Sequence, residues 1–211
     1  MSKDCGNHKR EILLRKLCSL LVLLVIIVLI VILIVYLVLR PTKPKFFLQD
    51  ATVLQFNLSQ PTPNLLSSQL QVTLSSHNPN ARIGILYDRM DVYASYQWQQ
   101  ITLPARLPPI YQGHKDVDVW SPFITGFGIP IAPYLGQSLI QDESDGFFFL
   151  YVKVDGRIRW KVGSWTSGHY HLFVNCPAYL SFDRRSIGNG GGSSAMSSIK
   201  FQQISTCSVD V

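Results

Sequence analysis

The run Leu17–Leu39, LCSLLVLLVIIVLIVILIVYLVL, holds 23 residues with no charge, proline or glycine. As a helix rising about 1.5 Å per residue it is roughly 34 Å long, enough to cross a hydrocarbon core of about 30 Å. A secretory signal has an apolar core of about 7–15 residues and a small-residue cleavage site, and neither fits here. A buried soluble helix would carry a polar stripe, and this run has none. The pattern predicts a retained transmembrane helix over residues 17–39, preceded by a basic tail at 1–16 and followed by a proline-containing spacer at 40–45.

Five basic residues precede the run (Lys3, Lys9, Arg10, Arg15, Lys16) and three follow it closely (Arg40, Lys43, Lys45). That bias predicts a cytosolic N-terminus and an outer or lumenal C-terminal domain, the topology of a single-pass signal anchor. The formal charge of +6 is confined to these flanks, because residues 46–211 hold eleven basic and eleven acidic side chains. Such flanks suit anionic headgroups. The domain shows no basic helix or RNP-type aromatic motif, so nucleic acid is not an expected partner. Cys5 and Cys18, on the cytosolic side, read either as S-acylation sites or as a free thiol and a small apolar helix residue.

Roughly 165 residues remain, enough for one domain with a real core. Nearly every segment there alternates with period two. Leu70, Val72 and Leu74 share one face, as do Met90, Val92, Ala94, Tyr96 and Trp98, then Ile158, Trp160 and Val162, then Tyr170, Leu172, Val174 and Cys176. This is the signature of half-buried antiparallel strands. Asp155-Gly156 predicts a two-residue hairpin turn. GNGGGSS (Gly188–Ser194) predicts a flexible loop before a last strand at Phe201–Val211, and a short helix is expected near Pro133–Gln141. Seven to nine short strands indicate a mostly β protein, an Ig-like or fibronectin-like antiparallel sandwich over residues 46–211. Cys176 and Cys207 flank the glycine-rich loop almost symmetrically. If the neighbouring strands pair, the two cysteines fall within disulfide range; otherwise they are two buried thiols.

Signatures of catalysis fail. GFGIPI has Ile131 where a third glycine should stand, GNGGGSS lacks a phosphate-loop lysine, and no G-x-S-x-G elbow exists. His169 and His171 have a spacing that two metal ligands can share, without an evident third, and read first as solvent-facing. Asp116 and Asp118, or Asp142, Glu143 and Asp145, lack EF-hand spacing and read as solvated loop acids. No cofactor, metal or enzymatic activity is expected. Asn57-Leu58-Ser59 is an N-glycosylation sequon, reachable if the domain is lumenal. The proline-rich stretch Leu103–Val117 carries Tyr111, Gln112 and Gly113 and reads as a crossover loop or as an exposed partner-binding edge.

The order of features is informative: a basic tail, one apolar helix, RPTKPKFFLQDATVLQFN, HNPNARIGILYD, PPIYQGHKDV, RWKVGSW and a final CSVDV. In this order the chain resembles the plant non-race-specific disease resistance and harpin-induced-like proteins. Their outer part is a late-embryogenesis-abundant group-two domain, also called the WHy domain. The resemblance implies a non-enzymatic plasma-membrane protein acting in pathogen defence, abiotic stress or contact between wall and membrane. Plasmodesma and endoplasmic reticulum are the alternative locations. It places the family signature on Asn78, Pro79 and Asn80, and on Tyr111, Gln112 and Gly113. The tail STCSVDV lacks the apolar stretch of a GPI signal, and Asn189-Gly190-Gly191 stands where an Asn-Gly-Asp motif would be needed, so neither property carries over.

Two functions of different classes follow. The first is a membrane-anchored interaction module with protein partners in defence signalling or wall contact. The second is a lipid-binding or lipid-transfer module with an apolar groove, suggested by Phe147-Phe148-Phe149. In either case HNPN reads as a corner: Pro79 keeps Asn78 out of the helical region, and the Asn amides pair with main-chain groups left free at the bend.

Overall fold

Helix α1 (Asp4–Val38) contains the apolar run as far as Val38, and its segment Leu14–Leu33 is long and apolar enough to cross a membrane. The computed structural model describes residues 4–38, 41–59, 64–182 and 199–211. Contacts divide the chain into two units, Met1–Pro41 and Thr42–Val211. The second unit thus starts inside the expected spacer, for a reason given by Asn80 below.

That unit is mostly β and antiparallel throughout. Strands β1 (Lys45–Leu58) and β2 (Leu65–His77) form a long hairpin, and β2 pairs on its other side with β7 (Val117–Trp120) and β8 (Phe123–Pro130). In the other half β9 (Phe147–Val162) runs between β3 (Gly84–Tyr96) and β11 (Tyr170–Phe182). Short strands β4 (Gln99–Gln100), β5 (Ala105–Leu107) and β6 (Ile110–Gln112) cover the far edge of β3, and β10 (Trp165–Thr166) folds back on β9. Three C-terminal pieces lie in the seam between β11 and β1. Strand β12 (Ile199–Phe201) pairs with both, β13 (Ser205–Thr206) with β1, and β14 (Ser208–Asp210) with β11. The result is one continuous sheet folded into a sandwich.

Alternation builds the core. Leu66, Leu70, Val72 and Leu74 of β2 meet Leu150, Val152, Val154 and Ile158 of β9 and Leu172, Val174 and Leu180 of β11, all buried. Each contributes about 1.5–3 kcal/mol relative to exposure. An aromatic knot closes one end: Phe46 lies 6.2 Å from Tyr87 and 6.4 Å from Trp120, centroid to centroid. Helix α2 (Pro133–Asp145) caps the other end with Leu135 and Leu139.

Several sequence expectations are corrected. Asp155-Gly156 is no turn, because β9 runs straight through it with Gly156 buried against β3. A Cβ on Gly156 would lie 2.6 Å from the Arg89 carbonyl and 3.1 Å from Met90 Cγ, so close strand approach, not positive φ, demands glycine. The two-residue turn lies instead at Gln97-Trp98, between the paired Tyr96 and Gln99, with φ of 41° and 74°. Trp98 therefore leaves the inward row and is 81% exposed. Helix α2 runs on through Asp142 to Asp145, so the expected acidic loop is its last turn. The described strands number fourteen, five of them 13–16 residues long, instead of seven to nine short ones. The single last strand expected at Phe201–Val211 is three short pieces. The loop Gly188–Ser194 lies outside the described residues.

Candidate functional site

Both halves of the signature meet at one corner. Strand β2 ends at His77, and Asn78, fully buried, follows. Its amide nitrogen donates to the carbonyls of Ile83 and Gly113, each at 2.8 Å. Its side-chain oxygen accepts from the Asn80 main-chain N–H at 3.0 Å and from Asn80 Nδ2 at 2.9 Å. Asn80 in turn reaches across 38 positions: Thr42 N–H donates to Asn80 Oδ1 and Asn80 Nδ2 donates to the Thr42 carbonyl, both at 2.8 Å. A carboxamide carries a donor and an acceptor side by side, so Asn80 pairs with Thr42 as a neighbouring strand would. Pro79 has no N–H, and its carbonyl accepts from Lys115 Nζ at 2.5 Å.

The second half of the signature locks onto the first. Gln112 is fully buried; its Nε2 donates to the carbonyls of Ser76 (2.8 Å) and Asp116 (3.3 Å), and its Oε1 accepts from Tyr87 Oη at 3.0 Å. Tyr87 Oη lies 2.7 Å from Ser76 Oγ. Burial raises the Tyr87 phenol well above its ordinary range, partly offset by the Ser76 bond. Asp118 is raised by burial and then by Asp116 nearby. Tyr111 points the other way, half-exposed, with Lys161 Nζ 5.0 Å from its ring centre. The amides of Asn78, Asn80 and Gln112 are occupied by main-chain groups, by each other and, for Gln112 Oε1, by the hydroxyl of Tyr87. The chemistry of this corner is to hold segments together.

The other residues singled out in the sequence lie apart. Cys176 and Cys207 are bonded, pinning the seam strands, and Cys207 N–H donates to the Phe46 carbonyl at 3.0 Å. Lys43 Nζ reaches Asp210 Oδ1 at 3.3 Å beside them. Asn57 is exposed near the end of β1, opposite Ser67. Cys18 is an exposed free thiol on α1; Cys5 lies on the same helix, its side chain outside those described. His169 and His171 diverge: His169 Nε2 is 3.5 Å from Asp88 Oδ2, and His171 stacks on Phe173. Asp142 accepts from Tyr96 Oη at 2.7 Å, and Asp145 accepts from Gln141. Among the described residues no three His, Cys, Asp or Glu side chains gather. Phe148 points inward against Phe56, while Phe147 is exposed.

A second surface escaped the sequence reading. On the outer face of β9, Trp98 stacks on Tyr151 (6.1 Å), Tyr151 meets Phe149 edge-on (4.6 Å), and Phe149 meets Tyr179 (4.7 Å). Lys153 Nζ sits 5.5 Å from the Trp98 ring centre. The signal available was the exposed parity of these residues, but Trp98 changes parity at an unmarked turn.

No family model matches the chain. It is 50% identical over 211 residues to NDR1/HIN1-like protein 1 of Arabidopsis thaliana, covering 99% of this chain and 100% of that relative. The chain belongs to the NDR1/HIN1-like family. A second NDR1/HIN1-like relative from the same plant, protein 12, is 48% identical over 213 residues, covering 100% of this chain and 99% of its own length. NDR1/HIN1-like protein 26 is 41% identical over 69% of this chain and 68% of its own. These NDR1/HIN1-like names point to a defence-related role in plants.

Proposed function

We propose that this chain is a non-enzymatic interaction protein of the plant plasma membrane, acting in the defence response to pathogens. Helix α1 anchors it with a cytosolic N-terminus, and the β domain, of the late-embryogenesis-abundant group-two type, faces the wall side. The full-length identity to NDR1/HIN1-like protein 1 carries the reading. The buried side chains of Asn78, Asn80 and Gln112, bonded within the domain, support a structural role for the signature. The tail meets cytosolic partners, with Cys5 and Cys18 available for S-acylation; the β domain meets partners outside.

Two measurements test it. Plants lacking this gene and its redundant relatives are expected to mount altered hypersensitive responses, and unchanged immunity counts against the role. Asn57 is expected to carry glycan, so an endoglycosidase should shift the native protein on a gel and leave Asn57→Gln unshifted. An unshifted native protein removes that support for the topology.

A further inference from the structure

The turn at Gln97-Trp98 holds two non-glycine residues at positive φ, a conformation that Asn-Gly would adopt with less strain. Here the cost displays an indole that is 81% exposed, braced beneath by Tyr151 and flanked by Lys153. Backbone strain retained to expose a large aromatic is a mark of function. Beyond Lys153 a surface cleft of about 260 Å³ opens between β9, β11 and β14, walled by Tyr93 and Phe173, with Asp210 on its far side paired to Lys43.

Charge selects the ligand. The outward positions of β9 from 153 to 161 read Lys153, Asp155, Arg157, Arg159 and Lys161, four cations to one acid in a domain whose charges balance as a whole. Arg159 is held by Asp88, whereas Lys153, Arg157 and Lys161 make no ion pair among the described residues. Successive outward residues stand about 6.6 Å apart. One strand therefore offers a row of rings continuing into a mostly cationic row, interrupted by Asp155.

We propose that this face binds an acidic polysaccharide, a linear chain of sugars bearing carboxylates; the proposal rests on the domain facing the wall side. Sugar C–H faces lie against the outward negative face of Trp98, which Tyr151 braces from beneath, as polarised hydrogens do over aromatic rings. Carboxylates pair with Lys153 and Arg157. Each contact is weak, and a polymer engages several at once. An anionic bilayer fits less well: the outward positions of β9 carry no Leu, Ile or Val to insert.

Full-length protein in phosphatidylcholine nanodiscs, passed over immobilised polygalacturonate, tests this. Retention is expected, weakened at least tenfold by methyl-esterifying the polymer, by Trp98→Gly and by the double variant Lys153→Gln/Arg157→Gln. Trp98→Gly relaxes the positive φ, so its melting temperature should equal or exceed the parent's, separating lost binding from lost fold. No retention, undiminished retention of Trp98→Gly, equal retention on a neutral β-glucan, or preference for phosphatidylserine vesicles overturns the proposal. None of these outcomes touches the defence role, which the immunity of the mutant plants decides separately.

Discussion

The side-chain amide of Asn80 holds both main-chain groups of Thr42, accepting its N–H and donating to its carbonyl, each at 2.8 Å. Thr42 lies four positions beyond the end of helix α1 at Val38. The spacer is therefore sewn into the β domain by a residue of the family signature. Asn80→Ala should cost about 1–3 kcal/mol, since it strands partly buried groups on Thr42 and Asn78. For a chain of this size that lowers the melting temperature by about 2–4 °C per kcal/mol. Asn80→Asp keeps the shape but turns a donor into an acceptor facing two oxygens, and should be no milder. Thermal unfolding of the full chain in detergent checks both, and an unchanged melt removes the clamp.

Gly156 sits in the middle of the central strand with the Arg89 carbonyl where a Cβ would go. Gly156→Ala should push β3 from β9 and cost about 1–3 kcal/mol. Gly168, with open space around the same built atom, is the control and should change stability by under about 0.5 kcal/mol on substitution. Denaturant titration of the two variants distinguishes them; equal midpoints would mean that the strands do not approach so closely.

Burial raises the Tyr87 phenol above its ordinary value of 10.0. A raised folded value means that its contribution is fully present below pH 10 and is lost as pH climbs past it, because the unfolded chain ionises first. Stability should therefore fall steeply above about pH 10. Tyr87→Phe should cost about 1–2 kcal/mol at pH 7, by stripping Gln112 and Ser76 of a partner, yet flatten the alkaline slope. Denaturation midpoints from pH 8 to 11.5 test the sign; parallel curves for parent and variant would exclude Tyr87 as the source.

The Cys176–Cys207 bond closes 31 positions and fastens β13 and β14 into the seam between β1 and β11. Loop entropy puts its contribution at about 3–4 kcal/mol. Cys207→Ser should lower stability by that order and speed amide exchange over residues 205–210 first, read by hydrogen exchange with mass spectrometry. Thiol counting on protein isolated from membranes should find neither cysteine free; reactive thiols at both positions would place the native protein in its reduced form.

Locally encoded features were legible in the sequence: the uncharged helix, the antiparallel strands and most of the core, because a period of two or an unbroken apolar run needs no knowledge of distant residues. HNPN was legible as a corner, since proline and asparagine bias their own backbone. Its partners were not, because Thr42, Gly113 and Lys115 come to it only through the packing of β1, β2 and β6. Asp155-Gly156 fits a turn by composition, and only the carbonyl of Arg89 on the adjacent strand decides otherwise. Trp98 reads as a core residue by parity until a strained turn, fixed by the pairing of Tyr96 with Gln99, carries it into solvent. What the sequence by itself determined were the elements, which depend on neighbours along the chain; which glycine turns, which tryptophan faces out and what the signature holds were decided by contacts between strands far apart in it.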